Sequence, residues 1–280
     1  MLYDYWNYTS CINNENQSLI EASLLNILEK EGFTRVYELP KNFSIDELNA
    51  NYRKITKQLL KQLWIIGLFP GASGWTIMKT QPNEFMCRRP KNSTKPRLSK
   101  LGTKINCKAF HWGVYSSSFG ILLEVDEKGG IFVSGCHDVT DKRERNFFYQ
   151  EKINYGEAWK FHLIDMPAHI IEAIEPTSEE EWERKEARLD ELLALREQGL
   201  GTFDTFAEEE KLMTSDGIKT DQALRQYIGN SSSYWGMRRM YYKAYTKEEQ
   251  IKADGGRLLY FQPPEYYHQL DYLSEIAAKY

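Results

Sequence analysis

Apolar residues recur at steps of three and four near the start of the chain, fall into short runs through its middle, and return to helical spacing afterwards. Leu19, Ala22, Leu24, Leu25 and Leu28 form a stripe that predicts a helix over Gln17–Glu31, stopped by Gly32. Ser44 and Glu47 have the spacing of a capping box, in which a serine oxygen takes an orphan amide and a glutamate reaches back. The helix they open carries Leu48, Tyr52, Ile55, Leu59, Leu63 and Ile66 on one face and is expected to reach about Leu68, before Pro70 and Gly71.

The middle reads as strands. Trp75–Thr80 and Glu84–Arg89 flank the turn-forming Gln81-Pro82-Asn83, and Pro96–Ile105 suggests a short helix. Ala109–Tyr115, Gly120–Val125 and Ile131–Ser134 are strands, the last two joined by the glycine-bearing hairpin loop 126–130. Consecutive strands with short turns must pair antiparallel, because a parallel pair needs a long crossover. Ala158–Ile164 reads as a further strand and Pro167–Ile174 as a short helix.

Beyond Pro176, Thr177/Glu180 and Ser178/Glu181 both have capping-box spacing, and the helix they start is expected to run to Glu197 and stop at Gly199. Further helices are expected at Ala207–Met213, Thr220–Ile228, Tyr234–Tyr245 and Pro264–Ala278, with a late strand at Arg257–Phe261 that can return to the sheet. The expected fold is therefore α+β, an antiparallel β-meander sheet flanked by N-terminal helices and a C-terminal helical half. Residues 1–175 form the α+β part, and 176–280 a mainly helical segment packed on the sheet. No internal repeat is visible.

Composition adds limits. With 41% hydrophobic and 27% charged residues, the 280-residue chain belongs with globular proteins. Its longest apolar run, Leu63–Phe69, is far short of the roughly 20 residues that span a bilayer, so no membrane is implied. The start lacks the pattern of a secretory signal, and Cys11, Cys87, Cys107 and Cys136 show no CxxC pairing, which together point to reduced thiols in a cytoplasm.

A net charge of −4 argues against a surface given over to nucleic acid. The distribution says more. Phe85 to Leu123 holds eight cations and no acid, whereas Glu172 to Glu210 holds fourteen acids against four bases. The basic run reads first as a solvated loop, or as the counter-face of the acidic helix after Pro176. Its functional reading is a partner-binding loop built on Arg88, Arg89, Lys91, Lys95 and Arg97, for a protein partner before nucleic acid. Tyr234–Tyr245 mixes rings with cations, but Tyr234, Met237, Tyr241 and Tyr245 recur at helical spacing, as a buried stripe would.

Other candidate chemistry is thinner. Cys107, His111, Cys136 and His137 are zinc-ligand types, yet their strands flank a middle strand, about 9–10 Å apart, and no metal site is expected. Cys136-His137-Asp138 are neighbours, whereas catalytic triads are assembled from separated positions. Gly71-Ala72-Ser73-Gly74 lacks the Gly-x-Ser-x-Gly elbow and the Gly-Lys-Ser/Thr ending of a phosphate loop. Glu124, Asp126 and Lys128 faintly match the carboxylates and lysine of a metal-dependent nuclease core. Two functions follow. The first is a non-catalytic protein-binding or regulatory module, of the immunity type for instance, needing no cofactor. The alternative is a nucleic-acid-directed, metal-dependent enzyme with Glu124 and Asp126 as its acidic site.

Overall fold

A computed structural model describes residues 7–40, 44–83, 85–90, 93–115, 119–135, 154–155, 161–174, 177–212, 216–229 and 240–265. The fold is α+β, built on an antiparallel sheet. Its strands are β1 (Asn7–Ile12), β2 (Thr34–Val36), β3 (Trp64–Pro70), β4 (Thr76–Gln81), β5 (Ala109–Tyr115), β6 (Phe119–Val125), β7 (Ile131–Gly135), β8 (Asn154–Tyr155) and β9 (Arg257–Gln262). They lie in the order β2-β9-β3-β4-β1-β5-β6-β7-β8, antiparallel throughout except for the short parallel pair β7–β8.

The β5-β6-β7 meander stands as expected, with Trp112 opposite Leu122 and Leu122 opposite Ser134. What the pattern hid is the centre of the sheet. β1 lies between β4 and β5, and all six of its residues, Asn-Tyr-Thr-Ser-Cys-Ile, are buried. A strand covered on both faces need not alternate, and its polar residues disguised it. β2, an edge strand of three residues, was likewise not foreseen.

The helix expected to continue to Leu68 ends early. Ile45–Ala50 (α2) and Tyr52–Leu59 (α3) are helical, but Trp64–Pro70 is strand β3. Its run Trp-Ile-Ile-Gly-Leu-Phe is rich in the β-branched and aromatic residues that favour a strand, and buried on both sides. Residues 85–89, expected as a strand, form turns instead, with Phe85 N–H donating to the Pro82 carbonyl at 3.2 Å. Glu84 lies outside the described residues. Residues 161–164 are irregular rather than a strand, and 158–160 lie outside the described residues.

The remaining helices are α1 (Gln17–Lys30), α4 (Arg97–Ile105), α5 (Ala168–Ile174), α6 (Glu179–Glu197), α7 (Phe203–Leu212), α8 (Asp216–Ile228) and α9 (Met240–Ala253). The Ser44–Glu47 capping box forms as its spacing predicted, and of the two spacings before the later helix Ser178 supplies the cap. Ser44 Oγ accepts from Glu47 N–H at 3.1 Å while Glu47 Oε2 accepts from Ser44 N–H at 2.8 Å. Ser178 Oγ accepts from Glu181 N–H at 3.2 Å and opens α6. α9 runs past the expected end at Tyr245 to Ala253, and residues 234–239 and 266–278 fall outside the described residues.

Strand register assigns the side chains to two faces, since directly opposed residues share a face and neighbours along a strand alternate. One face carries Tyr8, Ser10, Trp64 and His111 and lies under α1 and α4, where Trp64 packs edge-on against Phe85 and tilted against Phe33. The other carries Asn7, Thr9, Lys79 and Phe110. It lies under α8, α9 and residues 161–166, as shown by Tyr241 Oη donating to the Leu63 carbonyl and Phe110 meeting Phe161 edge-on. β9 brings the far end of the chain into the sheet between β2 and β3. Among the described residues no helix is long and apolar enough to cross a membrane.

Candidate functional site

The basic run is drawn largely into the fold. Arg97 is 1% exposed, and its Nε donates to Glu31 Oε2 at 2.7 Å while Nη1 donates to the Phe85 carbonyl at 3.1 Å. Its guanidinium also lies 4.2 Å from the Phe85 ring centroid. Lys100 Nζ reaches the other oxygen of Glu31 at 3.3 Å. Glu31 is the C-cap of α1 and Arg97 opens α4, so each charge sits at the helix end that disfavours it, and the two offset one another. The ion pairs of Arg97, Lys100 and Lys108 thus go to Glu31 and Asp165, rather than to the acidic helix after Pro176. Arg88 is buried, Arg89 half-buried, and the exposed Lys95 donates to the Gly129 carbonyl at 3.1 Å. Lys91 lies outside the described residues.

Glu124 and Asp126 are occupied with backbone. Glu124 is wholly buried and accepts from the amides of His162 at 2.8 Å and of Leu163 and Ile164 at 3.1 Å, pinning residues 161–166 over the sheet. Burial raises its pKa above the usual carboxylate value, against the three amides and Lys108. Asp126 Oδ1 accepts from Lys128 N–H at 2.9 Å and Gly130 N–H at 2.6 Å, shaping the hairpin in which Gly129 takes φ +84°. Among the described residues no group of three His, Cys, Asp or Glu could hold a metal ion. Cys136, His137 and Asp138 lie outside the described residues, while His111 is buried with Nδ1 2.9 Å from Ser10 Oγ.

The site that sequence reasoning missed lies on the opposite face of β1. Lys79, in the middle of β4, is 4% exposed, and its ammonium donates to Asn7 Oδ1 at 2.5 Å, to the Tyr8 carbonyl at 3.1 Å and to Thr9 Oγ1. Asn7 Nδ2 in turn donates to Asp221 Oδ1 of α8, and Asp221 Oδ2 forms an ion pair with Arg225, whose Nε lies 2.9 Å away. The charges at either end thus orient the Asn7 amide, oxygen to the lysine and nitrogen to the carboxylate. Burial pulls the Lys79 pKa down to about 7. Asp221 opposes this, while the positive charges of Arg225 and Lys243 assist it. A lysine within a run of buried threonine, methionine and isoleucine was the available signal, but it needed β4 to be recognised as a central strand.

A second feature is on the outside. α6 and α7 form an arm braced by Arg188, which grips both oxygens of Glu208 at 2.9 and 3.0 Å, and by Arg196, which reaches Glu209 at 3.1 Å. Leu192 is the buried residue of α6. Glu179, Glu183, Glu186 and Asp190 follow at steps of four, three and four, so they share one exposed face that runs on into exposed Leu193. Trp182, Leu200, Phe203 and Phe206 are exposed too, Phe203 at 86%. Scans against protein-family models, curated proteins and solved structures each find no match.

Proposed function

We propose that this chain is a protein-binding or regulatory module that holds a basic partner protein through the α6–α7 arm. The observation that carries this reading is an acidic helical face continuous with exposed Leu193, on an arm that also displays Trp182, Phe203 and Phe206. Large exposed apolar side chains rimmed by polar and charged residues are the usual make-up of a docking surface. The acids would steer a positively charged partner and fix its register, and the rings would supply the buried contact. A cytoplasmic setting suits the three buried free thiols, Cys11, Cys87 and Cys107.

The test begins with tagged full-length protein drawn from its own cell extract at low salt, with and without nuclease treatment. The captured protein is then purified and titrated against wild type and the triple variant Glu183→Lys/Glu186→Lys/Asp190→Lys. A 1:1 complex, weakened by salt and at least about tenfold by the charge reversal, supports the arm as the interface. Binding unchanged by the reversal overturns it, as does recovery made up of nucleic acid that nuclease removes.

A further inference from the structure

The acidic face of α6 has a counterpart of opposite charge elsewhere in the same chain. Residues 48–83 contain five cations, Arg53, Lys54, Lys57, Lys61 and Lys79, and no acid. Lys79 is buried in β4, whereas Lys54 of α3 and Lys61 in the turn after it are exposed. Ile55 and Leu59 fix the inner side of α3 to the core. Lys54 and Lys61 are seven residues apart, and Leu63 N–H donating to the Leu59 carbonyl at 2.7 Å continues the helical winding past Lys61. On α6, Glu183 and Asp190 are likewise seven apart and exposed, as are Glu179 and Glu186. Two residues so spaced share a helix face and stand about 10 Å apart along its axis.

Within one copy α6 packs on α7, and α3 on α2. Among the described residues, neither the two lysines nor these four acids are held in an ion pair. From this matched spacing of unspent opposite charges, we infer that the partner of the arm is a second copy of this chain, whose Lys54 and Lys61 meet the acidic face of α6. The inference rests on the reading of the arm as a docking surface and names what docks there. Lysine stems are apolar, so they cover exposed Leu193 while their ammonium groups reach the acids. Each copy has one arm and one α3, so a twofold pair makes the contact twice. Exposed ion pairs are individually weak and screened by salt, which makes the pair of copies salt-sensitive.

Sedimentation equilibrium of the full chain over a range of concentration, in low and high salt, reads the association directly. Wild type is expected to form dimers at low salt and to return to monomer at high salt. Lys54→Glu/Lys61→Glu and, separately, Glu183→Lys/Glu186→Lys/Asp190→Lys alter exposed positions and should fold, yet each should self-associate at least about tenfold more weakly. Mixed one to one, the two variants pair reversed α3 with reversed arm and wild-type α3 with wild-type arm, so dimers should return. Wild type that stays monomeric at every concentration in low salt overturns the second copy, as does self-association that neither reversal weakens or a mixture that stays monomeric. Should one variant fail to fold, weakening by the other together with loss of wild-type dimers in salt supports the contact, and no weakening overturns it. A monomeric chain whose arm variant loses a different captured protein removes only the second copy. A monomeric chain whose capture the arm variant leaves unchanged removes the arm as well.

Discussion

Arg97 and Glu31 show how single residues are placed against their local preference for a tertiary gain. A carboxylate at the C-cap of α1 and a guanidinium at the start of α4 both oppose the helix dipoles, and each is tolerated because the other neutralises it in a nearly dry site. Glu31→Gln leaves a buried guanidinium without its charge partner and is expected to cost about 3–5 kcal/mol in urea unfolding at pH 7. A loss near zero would show that the pair is not holding the helices. Lys79 makes a second prediction. Its folded pKa is depressed to about 7, so above that pH the unfolded chain binds the proton that the folded chain has released. The Lys79 contribution to stability is lowest below pH 7 and rises towards the ordinary lysine value, by up to about 1.4 kcal/mol per pH unit. Wild type should gain stability relative to Lys79→Met between pH 7 and 9, and parallel curves would refute the depressed value.

Elements differ in what holds them. β3 is secured from both sides, since its apolar run pairs with β4 and β9 and packs under helices on each face. Gly67 within it, opposite Lys79, has Phe69 folded over it, and an added Cβ would meet that ring at 2.7 Å. Gly67→Ala is therefore expected to lower stability by about 1–3 kcal/mol through overpacking, measurable as a fall in the denaturant midpoint. α6 depends on local devices instead, namely the Ser178 cap, i,i+4 pairs such as Glu181–Lys185, and the Arg188–Glu208 brace to α7. Ser178→Ala should cost about 1 kcal/mol locally. Amide exchange in the first turn of α6 should quicken while amides of β1 and β4 hold their rates. Equal quickening in the sheet would show that the arm is coupled to the core.

At the scale of the molecule, the sheet is closed by the two parts of the chain farthest apart in sequence. β1 occupies the centre and β9 enters between β2 and β3, so pairing waits on residues separated by most of the chain. A chain ended after Asp254 would leave β2 unpaired and one edge of β3 open, with Trp64, Ile65 and Ile66 losing their cover. Such a truncation is expected to lose its cooperative unfolding transition and its near-ultraviolet circular dichroism. A sharp transition at the wild-type midpoint would show that β9 is dispensable. α8 and α9 lie over this face of the sheet, where Asp221 meets Asn7 and Lys79 is buried.

Where local chemistry decides structure, the sequence was sufficient. The Ser44–Glu47 capping box, the Ser178 cap, the hairpin at Asp126–Gly130, the meander of β5, β6 and β7 and the long acidic helix all follow from neighbours within a few residues. So does the charge polarity that defines the α6–α7 arm. Tertiary structure alone decided the rest, because burial on both faces erases periodicity. β1 conceals itself behind polar residues whose partners are distant, and β3 carries apolar residues that satisfy a helical count by coincidence. It also decided the use of the basic residues, since the worth of Arg97 depends on a carboxylate 66 positions away. Lys79, Asn7 and Asp221 span 214 positions between Asn7 and Asp221, a separation at which no spacing rule operates.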